Sequence, residues 1–382
     1  TINSSYDLVF METLNYQSYH GLIHHVGSPP VICVFVFCVF ILVSTIRNCP
    51  LNFFQHLLPM FLRVLLYFSN HMAFYERLQN TLFWLWLRYK TYVELFPQQE
   101  RIMRKHFGEG PPSILEAERN MSLMMIGTNC IFGYPSPLPP AVITYHSLHV
   151  KTTPDPLPED LKKYLDEATD GVIYFSFGTN VLGNHLPEEK IRIFIEAFAE
   201  LPQKVLWKWE SDILPNKPAN VQIGKWYPQQ DILTHPNLRL FITQCGLQSL
   251  QEAVHHGVPL LGIPFIADQK YNGRKIQEAG IGLQLPYGKI TKESLLNGIN
   301  QILHNSSFRN NAKQLSKLSR DEQESSIERT IWWAEYVLRH KGAKHLRSAA
   351  LDLHWYQYLL LDVAAFLLIS ALFVIFIVYY CV

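Results

Sequence analysis

Ser249 and Glu252 stand three residues apart, a spacing that puts both side chains on one face of a helix. From there the hydroxyl can reach a phosphate, and the carboxylate can accept from two ribose hydroxyls. Just upstream, Thr243-Gln244-Cys245-Gly246 reads as the end of a strand and the turn into that helix. The first turn of a helix offers free N–H groups and a positive dipole end, which suits a diphosphate, and Gly246 lets the backbone come close. Asp268 and Gln269 follow the next apolar run, where a hexose beyond the diphosphate would lie. Acidic and amide side chains are what sugar hydroxyls need. The set has the chemistry of a nucleotide-sugar site, provided that a doubly wound sheet brings these strand ends together.

Residues 170–305 read as such a sheet. Val172–Phe177 is an apolar strand run, and Pro187–Leu201 a helix with Ile191, Phe194, Ile195 and Phe198 at spacings of three and four. Pro187 suits its first turn, and Glu188 and Glu189 suit its dipole. Strands follow at Val205–Trp209, Val221–Gly224, Leu238–Thr243 and Pro259–Ile263. Helices are expected at Leu247–His256 (closed by Gly257), at Gln269–Ala279 (closed by Gly280) and at Thr291–Leu303. This alternation implies α/β architecture with a parallel sheet. Upstream, Tyr6–Phe10 looks like a strand, and Val31–Val43 like a buried strand running into a packed loop. Residues 61–96 carry Leu, Phe and Trp on nearly every helical face, as a deep groove or a membrane surface would require. Pro135–Pro140 marks a loop, and Pro154–Pro158 an interdomain linker. Residues 306–347 read as charged, exposed helices, with Arg339, Lys341, Lys344 and Arg347 a basic cluster at their end.

Composition narrows the class. The chain has 382 residues with a net charge of +1, which argues against a nucleic-acid partner. It is 48% hydrophobic and 17% charged, more apolar than an ordinary soluble protein. Much of the excess sits in Val363–Val382, 20 uncharged residues at the C-terminus, long enough as a helix to cross a bilayer. Tyr356, Tyr358, Tyr379 and Tyr380 bracket it as interfacial aromatics do. Cys33, Cys38, Cys49, Cys130, Cys245 and Cys381 form no C-x-x-C pair, so neither a disulfide framework nor a zinc site is expected. The lack of a G-x-G-x-x-G after a strand argues against a nicotinamide-dependent oxidoreductase, and no D-x-D suggests a metal.

Three motifs then follow in order over 44 residues. They are W-x-P-Q (Trp226, Pro228, Gln229), F-I-T-x-C-G-x-x-S-x-x-E (Phe241–Glu252) and G-V-P-L-x-x-x-P-x-x-x-D-Q (Gly257–Gln269). Together they resemble the signature of the UDP-glycosyltransferases. Ser176-Phe177-Gly178-Thr179 is similar to that family's first phosphate-side loop, and FYERLQNTL (74–82) and YLLLDVAAFLL to stretches of its animal microsomal members. The resemblance implies a GT-B fold, α/β with two Rossmann-like domains around a cleft and a C-terminal transmembrane helix. It implies a partial acceptor-binding domain over 1–153, a UDP-sugar-binding domain over 154–345, a juxtamembrane segment over 346–362 and the span over 363–382. By resemblance Trp226 would stack on uracil, Gln229 would lie beside the uridine, Glu252 would hold the ribose and Ser249 the α-phosphate. Asp268 and Gln269 would hold the sugar; Ser176, Gly178, Thr179, Cys245 and Gly246 would complete the donor site.

The implied reaction is inverting transfer of glucose or glucuronic acid from UDP-glucose or UDP-glucuronate to a hydroxyl of a small lipophilic acceptor. It needs no cofactor and no metal. Gln244 stands where the family has a histidine that donates to the β-phosphate; its amide can still donate. The family's catalytic histidine would lie upstream of Thr1, so the sequence reads as N-terminally truncated. Its carboxylate partner aligns with Glu12, Asp7 being the rival; His20, His24 and His25 are not at the base position. The resemblance places the protein in the endoplasmic reticulum membrane as a single-pass glycoprotein with lumenal domains, in contact with membrane lipid, and leaves room for a homo-oligomer. Asn3, Asn120 and Asn305 lie in glycosylation sequons. The alternative is a catalytically impaired, membrane-anchored homologue that binds UDP or a partner subunit.

Overall fold

A computed structural model describes residues 6–12, 17–35, 68, 71–128, 131–135 and 138–381. It contains two parallel sheets. The first runs β1 (Val9–Glu12), β2 (Val31–Phe35), β3 (Leu123–Ile126) and β4 (Val142–Thr144), neighbours in space as in sequence. The second comprises β5 (Val172–Ser176), β6 (Lys204–Lys208), β7 (Val221–Gly224), β8 (Leu238–Thr243), β9 (Leu260–Gly262) and β10 (Gly282–Gln284). Their spatial order is β10-β9-β8-β5-β6-β7. The chain winds outward through β5, β6 and β7, returns to β8 beside β5, and winds outward the other way. This is double winding, with its switch point between β5 and β8.

Alternation along β5 explains how both faces are covered. Ile173 and Phe175 join Phe194, Phe198, Trp207 and Ile299 on one face; Tyr174 joins Phe241, Leu250, Val254 and Ile276 on the other. A strand buried on both faces must be apolar throughout, and Val172–Ser176 is fully buried. The helix Glu188–Ala199 supplies Phe194 and Phe198. Pro187 stands at its N-cap with extended ψ of 138°, one position before the first turn where the sequence suggested it. Gly257, at φ +67°, closes the Leu247–His256 helix in the left-handed conformation.

Other elements depart from the sequence reading. In the run 61–96, residues 61–67, 69 and 70 lie outside the described residues; from Phe74 the chain forms the helix Phe74–Tyr89, a π-helical turn Lys90–Leu95 and the helix Phe96–Phe107. Phe74, Leu78, Leu82, Leu85 and Tyr89 are exposed along one side, whereas Asn80 and Trp84 are buried. In Val31–Val43 the strand covers Val31–Phe35, with Ile32 and Cys33 fully buried. Residues 36–43, like Asn3, Cys38, Cys49 and Cys130, lie outside the described residues.

The expectation of exposed helices over 306–347 is corrected. The helix Ser306–Arg320 buries Phe308, Ala312 and Ser316, and the helix Ser326–Arg339 returns to the first sheet. There Val337, with Trp333 and Ala334, packs on Ile32, Leu123, Met125 and Ile143. Positions 333, 334 and 337 make an apolar stripe at spacings of one and four that the surrounding charges conceal. Within the basic cluster, Arg339 meets Glu335 and Arg347 meets Asp352. The C-terminal helix is Leu361–Cys381, 21 residues with none buried, long and apolar enough to cross a membrane. It starts two residues before the uncharged run because Asp362 fits a first turn.

Candidate functional site

A cavity of about 640 Å³ opens at the switch point, where the carboxyl ends of β5 and β8 meet. Strand ends furnish most of its walls. Ser176 ends β5, and Gly178 and Thr179 follow it; Trp226 and Gln229 follow β7; Gln244, Gly246, Ser249 and Glu252 follow β8; Asp268 and Gln269 follow β9. Two sequence candidates do not line it. Cys245 is buried beneath the turn, with φ of +66°. Burial pushes its thiol well above the usual range, so it is a packing group without thiolate character. Gly262 makes room for it: a Cβ there would lie 2.3 Å from the Cys245 sulfur. Glu12 is exposed at the carboxyl end of β1. Burial, and secondarily the Glu12 charge, raise the Tyr145 phenol above its ordinary range.

The helix face anticipated for Ser249 and Glu252 carries a network. Gln229 Nε2 donates to Glu252 Oε2 at 2.6 Å and to Ser249 Oγ at 3.1 Å. His149 Nε2 lies 3.2 Å from Glu252 Oε1. Glu252 is only 7% exposed, so these donors offset the cost of burying a charge. Trp226, at 71% exposure, stands at the rim with its ring open to a flat partner. Histidine 149 was invisible to the sequence reading, since it precedes Gln248 by 99 residues and belongs to no motif.

The loops after β5, β6 and β8 hold one another. Gly178 N donates to Ser176 Oγ at 3.2 Å, and Lys208 Nζ to the Gly178 carbonyl at 3.0 Å and to Glu210 at 2.8 Å. Lys208 lines the cavity and ends β6; the sequence reading did not single it out, because the sheet order that brings β6 beside β5 is set by tertiary structure. Gln244 Oε1 accepts from Thr243 Oγ1 at 3.1 Å. Its amide nitrogen abuts Gly178, so closely that a Cβ there would lie 2.3 Å away. The amide thus spans from one loop to the other.

The loop after β9 is held by amides. Gln269 Oε1 accepts from Phe265 N at 2.8 Å and Ile266 N at 3.0 Å, which shapes the loop after β9. Asp268 occupies the N-cap position of the Gln269–Glu278 helix, but its carboxylate caps nothing; it accepts from Asn272 Nδ2 at 2.8 Å. Burial raises its carboxyl above the usual range, and the Asn272 bond pulls the other way. Asn272 Nδ2 also donates to the Cys245 carbonyl at 2.9 Å, so one amide ties the loops after β8 and β9.

A doubly wound sheet with a cavity at its switch point, preceded by a second parallel sheet, defines a two-domain α/β protein of the GT-B type. Solved glycosyltransferases have the same architecture. The spinosyn forosaminyltransferase SpnP matches with a TM-score of 0.58 at 17% identity, covering 86% of this chain and 76% of that one. The glycotransferase of kitacinnamycin matches at 0.55 and 16%, covering 87% and 75%. The chain belongs to the UDP-glucoronosyl and UDP-glucosyl transferase family, whose model matches residues 31–382. UDP-glycosyltransferase UGT5 of Dactylopius coccus is 40% identical over 311 residues, covering 81% of this chain and 59% of its own length. Human UDP-glucuronosyltransferase 2B7 is 34% identical over 316 residues, covering 82% and 59%. The chain thus spans about three-fifths of the length of these relatives.

Proposed function

We propose that the protein transfers a hexosyl group, glucose or glucuronic acid, from a UDP-sugar to a hydroxyl of a small lipophilic acceptor, with inversion at the anomeric carbon. The convergence of Gln229, Ser249 and Glu252 on one wall of the switch-point cavity carries this reading. In it, Trp226 stacks on uracil, Glu252 takes the ribose diol and Ser249 the α-phosphate. The loop Ser176–Thr179 and Gly246 face the diphosphate, while Asp268 and Gln269 bind the sugar. The acceptor oxygen attacks the anomeric carbon, the bond to the β-phosphate breaks, and UDP leaves with the electron pair. The acceptor proton passes to a base, with Glu12 as the carboxylate behind it. The reaction needs no metal and no cofactor beyond the sugar nucleotide.

Residues 1–153 form the acceptor side in this proposal, 154–345 the donor side, 346–362 the juxtamembrane segment and 363–382 the anchor. The anchor would sit in the endoplasmic reticulum membrane, with both domains lumenal. Asn120 and Asn305 are exposed, and Asn305 Oδ1 caps Ser307 N, which leaves its Nδ2 available for a glycan. An endoglycosidase-sensitive mass shift on the cell-expressed chain tests the orientation; a chain without glycans speaks against it.

Calorimetric titration of the detergent-solubilised chain with UDP tests the donor site. Micromolar binding that Trp226→Ala and Glu252→Ala both weaken supports it; a folded chain indifferent to UDP refutes it. A second reading, UDP binding without turnover, is favoured by the position of the Gln244 amide against Gly178. Comparing UDP-glucose and UDP-glucuronate turnover with UDP affinity separates the two.

A further inference from the structure

His149 lies on the segment that leaves β4 and runs alongside the donor helices. Ser147 N donates to Gln251 Oε1 at 3.1 Å, and Gln230 Nε2 to the His149 carbonyl at 2.9 Å. Lys151 N donates to Gln230 Oε1 at 2.7 Å, and Lys151 Nζ reaches Asp231 at 3.0 Å. The backbone is therefore fixed on both sides of His149, and the ring is delivered to one place. There Nε2 lies 3.2 Å from Glu252 Oε1 and 3.3 Å from the Gln248 carbonyl. Both neighbours are acceptors, so Nε2 carries the proton and donates between them.

Glu252 is consequently gripped from two sides, by His149 on Oε1 and by Gln229 on Oε2. A carboxylate offers about four acceptor positions, two on each oxygen. The protein fills one on each, which leaves one on each for a ligand. That remaining pair matches two adjacent hydroxyls. With one grip removed, the carboxylate could turn about its terminal torsion, which is broad and two-fold. The matched pair of positions would then be lost for much of the time.

We propose that His149 is a positioning residue for the donor: it locks the Glu252 carboxylate in the orientation that accepts both hydroxyls of a ribose cis-diol. The segment between the two sheets thereby takes part in donor affinity without touching the donor. This rests on the reading of the cavity as a UDP-sugar site.

The test compares two ligands, UDP and 2′,3′-dideoxy-UDP, by calorimetry on the full chain in detergent micelles. His149→Phe keeps the ring bulk and removes the donor; His149→Gln keeps a donor. The expected result is a roughly tenfold loss of UDP affinity for His149→Phe, the scale of one charge-assisted hydrogen bond. The dideoxy ligand, which lacks the diol, is expected to bind wild type and His149→Phe within about twofold of each other. His149→Gln is expected to restore UDP binding to within about threefold. Should His149→Phe fail to fold, His149→Ala is put through the same ligand pair with the same expectation. An unchanged UDP affinity, or an equal loss for both ligands, overturns the positioning role while leaving the donor site intact. A wild-type chain that binds neither ligand overturns the donor site itself, and this inference with it.

Discussion

Replacing Gly178 with alanine should set two loops of the cavity against each other, and the cost can be worked from the geometry. Gly178 has φ of +71°, a left-handed conformation that charges an L-residue about 1–2 kcal/mol. The added Cβ would also lie 2.3 Å from Gln244 Nε2, roughly an ångström inside normal contact. Gln244 must swing away, and the Thr243 Oγ1–Gln244 Oε1 bond at 3.1 Å goes with it, worth about 1 kcal/mol. The expected loss is about 2–3 kcal/mol, or roughly 4–12 °C in midpoint at 2–4 °C per kcal/mol. Gln244→Ala removes the obstacle. The double variant Gly178→Ala/Gln244→Ala should therefore be more stable than the two single losses added together, by about 1 kcal/mol. Thermal denaturation of the four proteins in the same detergent measures the cycle. Additive losses, or a Gly178→Ala midpoint equal to that of wild type, would refute the packing of Gln244 on Gly178.

Trp226→Ala should weaken UDP binding by the value of a base stack, about 1–3 kcal/mol, without moving the thermal midpoint, because the ring is exposed; equal midpoints with unequal calorimetric affinities check it. Gly262→Ala would put a methyl 2.3 Å from the Cys245 sulfur and should cost about 1–3 kcal/mol of overpacking in denaturant titration. His20 is buried and its imidazole is lowered to about 4, burial being the cause. The unfolded chain therefore binds more protons between about pH 6.5 and 4, so stability should be full above that window and fall as pH drops through it, by on the order of 2–3 kcal/mol. His20→Phe should flatten this limb, and parallel pH profiles for the two proteins would contradict the assignment. For Asp268 the sign is opposite: its raised carboxyl makes ionisation costly, so Asp268→Asn should raise the midpoint at pH 7 relative to pH 4 while impairing sugar transfer.

The sequence displays what is local and periodic. The strands β5 to β9 stand out as short runs between turns and helices of regular period, so their existence and order along the chain are legible; β10, three residues opening on Gly282, carries no such signal. The helix face shared by Ser249 and Glu252 is legible for the same reason: a spacing of three fixes it. What escapes is set by tertiary geometry. Nothing in the spacing links His149 to Glu252, since the ring arrives on a segment from another sheet. Gln244 reads as a free amide donor in the turn, yet the crossing of β5 beside β8 places Gly178 against it. Asp268 stands just before the expected helix, a cap position compatible with the sugar-ligand role. Only Asn272, one turn further on, shows that its carboxylate is turned inward from the cap. The stripe Trp333–Val337 was hidden because charged neighbours lower the apparent hydrophobicity of a face that nevertheless covers the first sheet.

Two non-glycine residues at the cavity edge have left-handed backbones, Cys245 at φ +66° and Ala267 at φ +52°. Each costs about 1–3 kcal/mol, and each immediately precedes a residue that lines the cavity, Gly246 and Asp268. The surroundings offset that cost in a specific way. The Cys245 side chain is buried at the space left by Gly262, and its carbonyl is held by Asn272. The same Asn272 amide holds Asp268, and Gln269 Oε1 closes the turn over Phe265 and Ile266. One side chain, Asn272, thus stabilises both strained turns at once. Asn272→Leu would fill similar volume with no donor and should leave the Cys245 carbonyl and the Asp268 carboxylate unpaired together, a loss of about 2–6 kcal/mol if each unsatisfied buried group costs 1–3. If the turns were independent, Asn272→Leu would cost no more than Asp268→Ala does alone, and denaturant titration of the two variants would give equal midpoints.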